Sequence, residues 1–369
     1  FWGCGSLTTI RSGVLLGTAS SGVAFSQVFQ QSGLTELPAG LDLSNGYTFL
    51  SAFQDCSSLA TIGTGVLLGT ASSNVNFISA FRTTALTALP AGLDMSQGSL
   101  FNATFRDCTS LATIGSGVLL GTANATATVN YADTFNGCTN LTALPAGLDL
   151  SQGSDFNNAF NGCSSLTTIG TGVLLGTAST SVNFTQAFNG CTNLVTLPAN
   201  LNLSKGDDFY AAFFNCSSLV TFPAGAFDTM GTPLGSCFVN AWLGCSALSA
   251  TSVDNILDSI EASGQLAPST GPDITITYNT ATGTPLYDSV PSLFARGWNV
   301  MVNSVAVTNT SATDLIIDSM AISTLSVVSG LSPVYNRLGN PAEYGDNISR
   351  IGNLGTDAND PVQTVEAEQ

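Results

Sequence analysis

The stretch Phe-Gln-Asp-Cys-Ser-Ser-Leu-Ala-Thr-Ile at residues 53–62 decides the fold, because variants of it recur along the chain, as in Phe-Asn-Gly-Cys-Thr-Asn-Leu-Thr-Ala-Leu at residues 135–144. An aromatic anchor opens each copy, and successive anchors lie 24 to 30 residues apart. Self-similarity at a period of roughly 20–50 residues is typical of repeat architectures, in which one repeat cannot bury its apolar face alone. The anchors are Phe1, Phe29, Phe53, Phe81, Phe105, Phe135, Phe160, Phe188, Phe213 and Trp242.

Two kinds of coil alternate and together make a unit of 52 to 54 residues. One reads Leu-x-Thr-Ile-Gly-x-Gly-Val-Leu-Leu-Gly-Thr-Ala, as at residues 59–71, and the other reads Leu-x-x-Leu-Pro-Ala-Gly-Leu-Asp-Leu-Ser-x-Gly, as at residues 34–46. Short apolar and Thr-rich segments bounded by Gly or Pro predict brief strands. Aromatic residues four apart, such as Phe156 and Phe160, predict a helical turn before each anchor, because this spacing shares one helix face.

These features predict an α/β repeat solenoid, a leucine-rich-repeat-like stack of about ten coils of 24–30 residues over residues 1–248. Strands about 4.8 Å apart would make it roughly 45–50 Å long. Because Phe1 already stands at an anchor position, we expect further repeats before it.

The repeat stops after residue 248, and two further regions follow. Residues 249–303 predict a small α/β cap, with a helix over 251–260 capped by Ser252, a strand over 274–278, a helix over 289–296 and a strand over 297–302. Residues 304–369 predict an extended tail with short strands at 314–318 and 324–328. Arg337 and Arg350 lie in this polar tail and are candidate residues of an arm that docks on a partner, with a flexible tail as the alternative.

The composition excludes several function classes. Seven basic residues face 24 acidic ones, for a net charge of −17, so the chain repels phosphate backbones and we expect no nucleic-acid partner. Runs such as Val-Leu-Leu are far too short to cross a bilayer, so we expect no membrane insertion. A surface of Ser, Thr, Asn and Gly with only 8% charged residues suits an extracellular protein, on a virion or on a bacterial cell.

Catalysis is not expected. Histidine is absent, which removes Ser-His-Asp and Cys-His sites, and there is no Walker phosphate-binding motif. The adjacent carboxylates Asp207 and Asp208 would diverge on an extended chain. We therefore predict no enzyme, no catalytic residue and no resident cofactor.

Eight of the nine cysteines occupy one repeat position, three residues after the anchor. Ser32 and Thr84 fill the same position in other coils, so it requires a small residue and predicts a buried ladder of reduced thiols rather than disulfides or a zinc site. Cys237 is out of register, and a bond between Cys237 and Cys245 stays open.

Asp42, Asp94 and Asp149 recur at one position of the proline-containing coils. They are candidate calcium ligands, because calcium prefers carboxylate oxygens. Asn202 holds the same position in the next unit, and a turn cap needs only a side-chain oxygen, so we favour capping and keep calcium as the alternative.

The residues that separate the apolar positions of each strand, here called strand spacers, are small and nearly the same in every coil. The residues of a recognition face usually differ from one repeat to the next. Regular threonine rows also occur on ice-binding solenoids, and this alternative stays open. Variation concentrates in the loops after Gly-Thr-Ala, which predicts a binding edge there. Its candidate residues are Ser72, Asn74, Asn124, Thr126, Ser179 and Ser181.

The pattern Ala-Phe-x-x-Cys-x-x-Leu-x-x-Ile/Leu-Pro resembles the leucine-rich repeats of the BspA-like surface-protein family over about two thirds of the chain. The helix that runs into Gly-Trp at residues 297–298 is similar to the tail of phage-encoded relatives. The resemblance implies a non-catalytic, surface-exposed structural and adhesion module. The preferred location for such a module is a phage virion, where the chain would be a tail or fibre component that contacts the host surface or neighbouring subunits.

Two alternatives remain, a bacterial adhesin that binds a host or matrix glycoprotein and an extracellular filament subunit. The expected partners are therefore a protein or glycan on a cell surface, or neighbouring subunits. A homo-oligomer formed through the C-terminal region is a further expectation, because the polar tail could dock on a second copy.

Overall fold

The computed structural model describes residues 1–12, 14, 16, 22–123, 128–268 and 273–307, and the backbone of strands Asp314–Leu315, Val334–Asn336 and Ile348–Gly352. The chain winds into a parallel β-solenoid of about eleven coils with a small C-terminal cap, which confirms the predicted repeat stack. Each regular coil contributes up to three short strands, and each strand pairs with its counterparts in neighbouring coils.

The first ladder consists of three strand pairs, and single parallel bridges from Thr168 to Thr196 and from Thr196 to Thr221 continue it toward the cap. In each pair the second strand is followed by a glycine whose N–H donates to the preceding coil, as from Gly63 to Leu37 O over 2.8 Å. The next coil has proline at this position (Pro90), which has no N–H to donate, so the ladder is interrupted. The pairs are Glu36–Leu37 with Thr61–Ile62, Ala88–Leu89 with Thr113–Ile114, and Ala143–Leu144 with Thr168–Ile169.

The alternation of coil types has a steric cause at the same place. A Cβ on Gly63 would lie 2.4 Å from the backbone nitrogen of Ala39 in the preceding Pro-Ala-Gly turn. Gly115 meets Ala91 in the same way, at 2.5 Å. The glycine thus makes room for the preceding proline turn in the regular two-coil units, and the alternation ends after Pro198, where the following coil has Pro223 at this position.

The second and third ladders carry the stack past these interruptions. The second comprises Asp42–Leu43, Leu67–Leu68, Asp94–Met95 and Leu119–Leu120 in one sheet, and Asp149–Leu150 with Leu174–Leu175 in another. The third is one parallel sheet of eight strands. These are Val23–Ala24, Gly46–Thr48, Val75–Asn76, Gly98–Leu100, Val129–Asn130, Gly153–Asp155, Val182–Asn183 and Gly206–Asp208.

Two columns of stacked aromatic rings fill the core. From Phe1 to Phe213, successive anchor rings are nearly parallel, with centroids 5.1 to 5.6 Å apart. The second column stands four residues before the anchors, and its one tyrosine, Tyr131, donates its hydroxyl to Leu120 O over 2.6 Å. Offset stacking adds to the free energy gained by ring burial. The second column comprises Phe25, Phe49, Phe77, Phe101, Tyr131, Phe156, Phe184, Phe209 and Phe238.

The segment around each anchor is not helical, so the predicted helical turn is wrong. Around Phe160, both Asn158 (φ 54°) and Gly162 (φ 71°) adopt the left-handed conformation. The N–H groups of Asn158 and Phe160 donate to Thr185 O (2.9 Å) and Ala187 O (2.8 Å) of the next coil. These bonds between coils offset the roughly 1–2 kcal/mol that a non-glycine residue loses in this conformation. The spacing of four residues places the two rings in two separate columns instead of on one face of a helix.

The cysteine position is buried, as predicted, in every described coil except the first, where Cys4 is exposed. All nine cysteines are free thiols in the structure, including Cys237 and Cys245, and only Cys4 is exposed. Burial raises the pKa of Cys163 to about 12 and that of Cys245 to about 12. These thiols are therefore protonated and shielded from solvent in the folded chain.

The cap continues the stack and then closes it. Strand Asp273–Ile276 bridges to Trp242 and acts as a further coil. It pairs in parallel with Asn299–Val302, which pairs antiparallel with Val305–Val307. The predicted cap elements are thus confirmed with shifted bounds, while Val305–Val307 was not predicted.

Helix Ala250–Ala262 begins after Ser249, whose side chain accepts the N–H of Ser252, so the predicted cap residue Ser252 is wrong. Ser252 is buried inside the helix and donates its hydroxyl to Val220 O over 3.1 Å, and Ser259 donates to Asp228 Oδ1 over 2.8 Å. Helix hydroxyl groups thus satisfy polar atoms of the last coil. A 3-10 turn, Thr280–Thr282, and a second helix, Val290–Ala295, complete the cap.

The tail strand predicted at residues 314–318 is present as Asp314–Leu315, and the one predicted at 324–328 lies outside the described residues. No helix in the described part of the chain combines the length and apolarity needed to span a membrane.

Candidate binding edge

The predicted binding loops lie at the corner where the second ladder passes into the third. In every second coil this corner is a loop such as residues 69–74, whereas the coils between have only a short turn such as residues 96–98. The loops therefore recur about 10 Å apart along the solenoid. Such a spacing gives one side of the molecule a regular series of projections.

Three of the predicted edge residues lie at this corner. Asn74 is exposed and adopts the left-handed conformation (φ 53°). Ser72 is half-buried, and its N–H donates to Gly69 O over 3.0 Å, which closes the turn. Ser181 is exposed and donates its hydroxyl to Asp207 Oδ2 of the next coil. This last bond joins a loop directly to the neighbouring coil.

Ser179 was predicted to lie on the binding edge, and this prediction is wrong. Its side chain is only 4% exposed, and its hydroxyl donates to Gly153 O of the preceding coil over 2.7 Å. The residue therefore belongs to the contact between coils and is not presented to a ligand. The sequence could not distinguish it from its exposed neighbours, because the loop is Ser- and Thr-rich throughout.

Of the other predicted contact residues, only Arg350 lies in a described segment. Asn124, Thr126 and Arg337 lie outside the described residues. Arg350 lies in strand Ile348–Gly352, opposite Tyr335 of strand Val334–Asn336 in an antiparallel pair. The structure thus gives Arg350 a backbone register.

The structure adds residues to the edge that the loop argument missed. In the proline coils the third ladder shifts register by one residue, as between Gly98 and Leu100, and the extra residue bulges outward. Comparison of these positions between coils would have found them, because they vary while the strand spacers do not. They are Tyr47, Ser99, Ser154 and Asp207. We call these four residues, with the exposed residues of loops 69–74 and 176–181, the variable edge.

The variable edge changes character along the solenoid. At one end Tyr47 is 49% exposed, and at the other Asp207 and Asp208 are adjacent carboxylates. Burial raises the pKa of Asp208, and the negative charge of Asp207 raises it further, against a hydrogen bond from the Tyr210 N–H. The edge thus presents an aromatic ring at one end and negative charge at the other.

The aspartates proposed as calcium ligands act as turn caps. Asp42 Oδ1 accepts the N–H of Ser44 over 2.9 Å, and Asn202 Oδ1 accepts that of Ser204 over the same distance. Successive aspartates are separated by a coil with leucine at this position, as Leu67 lies between Asp42 and Asp94. Asp94 and Asp149 make the same bonds. The geometry favours the capping interpretation for all of them.

A second column of such caps follows the third ladder and was not predicted. Asn130 Oδ1 accepts the N–H of Ala132 over 2.8 Å, and its Nδ2 donates to Asp155 Oδ2 of the next coil over 3.3 Å. Asn76 and Asn183 make the equivalent turn bond. These polar side chains beside the variable edge therefore make hydrogen bonds within the fold.

Within the described residues, no three acidic or cysteine side chains come close enough to hold a metal ion. Comparisons with protein families, with curated proteins and with solved structures found no match to this chain.

Proposed function

We propose that the chain is a non-catalytic, surface-exposed structural and adhesion module that presents its variable edge to a protein or glycan. The observation that carries this proposal is the contrast between positions. The ring columns, thiols and turn caps repeat from coil to coil and serve the stack, whereas the bulge residues change. In chain order this position is Tyr47, then serine in both Ser99 and Ser154, and then Asp207. A uniform scaffold with one diversified edge suits recognition over an extended surface.

The setting that we propose is a phage virion, in its tail or fibre. Support for it comes from the BspA-like repeat pattern and from the resemblance of the cap to phage-encoded proteins. The Ser-, Thr- and Asn-rich surface suits an extracellular location on a virion or on a bacterial cell. A bacterial adhesin would present the same edge from a cell, so the two settings differ in location and share the binding surface.

Location can be tested with an antibody raised against the solenoid. Gradient-purified particles and intact cells from the source culture would both be labelled without lysis. The proposal predicts label on one of these surfaces, with virions preferred. Label that appears only after lysis would contradict it.

Adhesion can be tested by competition, in which the purified chain should inhibit attachment of those particles or cells. The variant Tyr47→Ala with Asn74→Ala alters two exposed residues of the variable edge and should weaken inhibition at least tenfold. Thr113→Ser, an exposed change on the first ladder, is the matched control and should leave inhibition unchanged. Equal inhibition by all three proteins would mean that the variable edge is not the adhesive surface.

A further inference from the structure

One face of the solenoid carries no charge over seven consecutive coils. It follows the first ladder from the cysteine position to the turn beyond the strand. We call it the neutral face. It comprises residues 56–65, 84–92, 108–117, 138–147, 163–172, 191–200 and 216–225, which contain no Asp, Glu, Lys or Arg.

The neutral face is also more apolar than its threonine content suggests. The hydroxyl of Thr142 donates to Ala112 O over 3.1 Å, and that of Thr167 donates to Thr142 O over 3.0 Å. These two hydroxyls are therefore satisfied by carbonyl groups within the ladder. Val195 and Val220 are also 41% and 38% exposed on this face.

Carboxylates occupy the other sides of the same coils. Asp94 lies on the second ladder, Asp155 on the third, and Asp107 in an anchor turn beside Arg106, 3.5 Å from its Nε. With a net charge of −17, two copies that met through the second or third ladder would bring carboxylates together, whereas in the anchor turns Arg82 and Arg106 accompany Asp107. The neutral face avoids this repulsion because its residues carry no charge.

We propose that the neutral face is a self-association surface, on which two copies pack sheet against sheet about a two-fold axis. Seven coils about 4.8 Å apart and roughly 20–25 Å wide give about 600–800 Å² per copy, which is the range of a stable specific interface. The proposal is independent of the function proposed above. It also differs from the sequence expectation of an oligomer formed through the C-terminal region.

The test is sedimentation velocity on the full chain over a range of concentrations, at low and at moderate salt. We expect a reversible dimer that strengthens with salt, because salt screens the repulsion between two negative chains. Thr113→Asp with Thr168→Asp places carboxylates on the neutral face and should weaken dimerisation at least tenfold. Both side chains are exposed and make no hydrogen bond that the fold needs.

The matched control is Asn74→Asp with Thr180→Asp, which adds the same charge at exposed positions of the variable edge. It should leave the dimer unchanged. A second pair on the neutral face, Thr61→Asp with Thr196→Asp, covers the case in which the first variant unfolds, as judged by circular dichroism. A chain that stays monomeric at millimolar concentration, or a dimer that survives in the folded neutral-face variants, overturns the proposal.

Discussion

The thiol of Cys163 donates a hydrogen bond to the carbonyl oxygen of Phe135, the anchor of the preceding coil, over 3.2 Å. Cys191 does the same to Phe160 over 3.3 Å. Each cysteine thus ties its coil to the ring column before it. Thr84 holds the same position, but its hydroxyl donates to Phe81 O of its own coil over 2.9 Å, so the position accepts a small hydroxyl side chain with a different hydrogen bond.

Thiol accessibility provides the first prediction. With no reductant present, an alkylating reagent should label Cys4 rapidly in the native protein and spare the eight buried thiols. In denaturant it should label all nine. Intact mass spectrometry measures both counts, and fewer than nine labels in denaturant would reveal a disulfide.

Stability should fall at alkaline pH because of the buried thiols. Burial raises the pKa of Cys163 to about 12, whereas a thiol in the unfolded chain titrates near 8.5. The contribution of this buried thiol to the free energy of unfolding is therefore complete below about pH 8.5. It is lost as the pH rises toward 12, since only the unfolded chain gives up its thiol proton in that window. Urea unfolding measures this loss, up to about 1.4 kcal/mol per pH unit for each such thiol.

The variant Cys163→Ser is the control for that assignment. A serine hydroxyl does not titrate here, so its loss of stability between pH 8 and pH 10 should be smaller by about 2 kcal/mol than that of the parent chain. Identical losses in the two proteins would assign the alkaline effect to other groups.

Gly153→Ala should destabilise the protein by about 1–3 kcal/mol, the usual cost of overpacking. A Cβ at this position would lie 2.4 Å from Phe156 Cζ and 2.8 Å from Tyr131 Cδ2, between two rings of the second column. Gly231→Ala is the matched control, because no heavy atom lies within 4 Å of its added Cβ. Chemical unfolding should place that control within about 0.5 kcal/mol of the parent. Equal stability of the two variants would argue against the ring column.

Ala103→Gly should stabilise the protein by about 0.5–1 kcal/mol. Ala103 adopts a left-handed conformation (φ 55°) that glycine tolerates without strain. Ala112→Gly is the control, since Ala112 has no such conformation and should lose stability through the added freedom of the unfolded chain. Thermal unfolding separates the two, and a loss of stability in both would contradict the left-handed anchor turn.

The sequence predicts the solenoid because each coil repeats the spacing of Phe, Cys and Leu that stacking requires. It misleads at the anchor turn, where Phe156 and Phe160 are four apart for two ring columns, and where hydrogen bonds to the next coil support a left-handed Asn158. Such bonds between coils cannot be seen in a local pattern. The Pro-Gly alternation was visible, but its steric cause needed the contact between Gly63 and Ala39.

The candidate edge was predicted in part. Asn74 and Ser181 were found because loops vary, whereas Ser179 was misplaced because burial of one loop serine depends on the coil before it. Tyr47 and Asp207 were missed because the loop argument did not compare the third-ladder positions between coils, although the β-bulge itself appears only when the strands are paired.

The anchor turns are hydrogen-bonded from coil to coil, so that the array is one continuous scaffold. Native-state hydrogen exchange measured by mass spectrometry tests this most directly. Peptides that cover Asn158 and Phe160 should exchange as slowly as those from the third ladder, because both N–H groups donate to the next coil. Exchange of the anchor segments within seconds, as in solvent-exposed turns, would contradict the account.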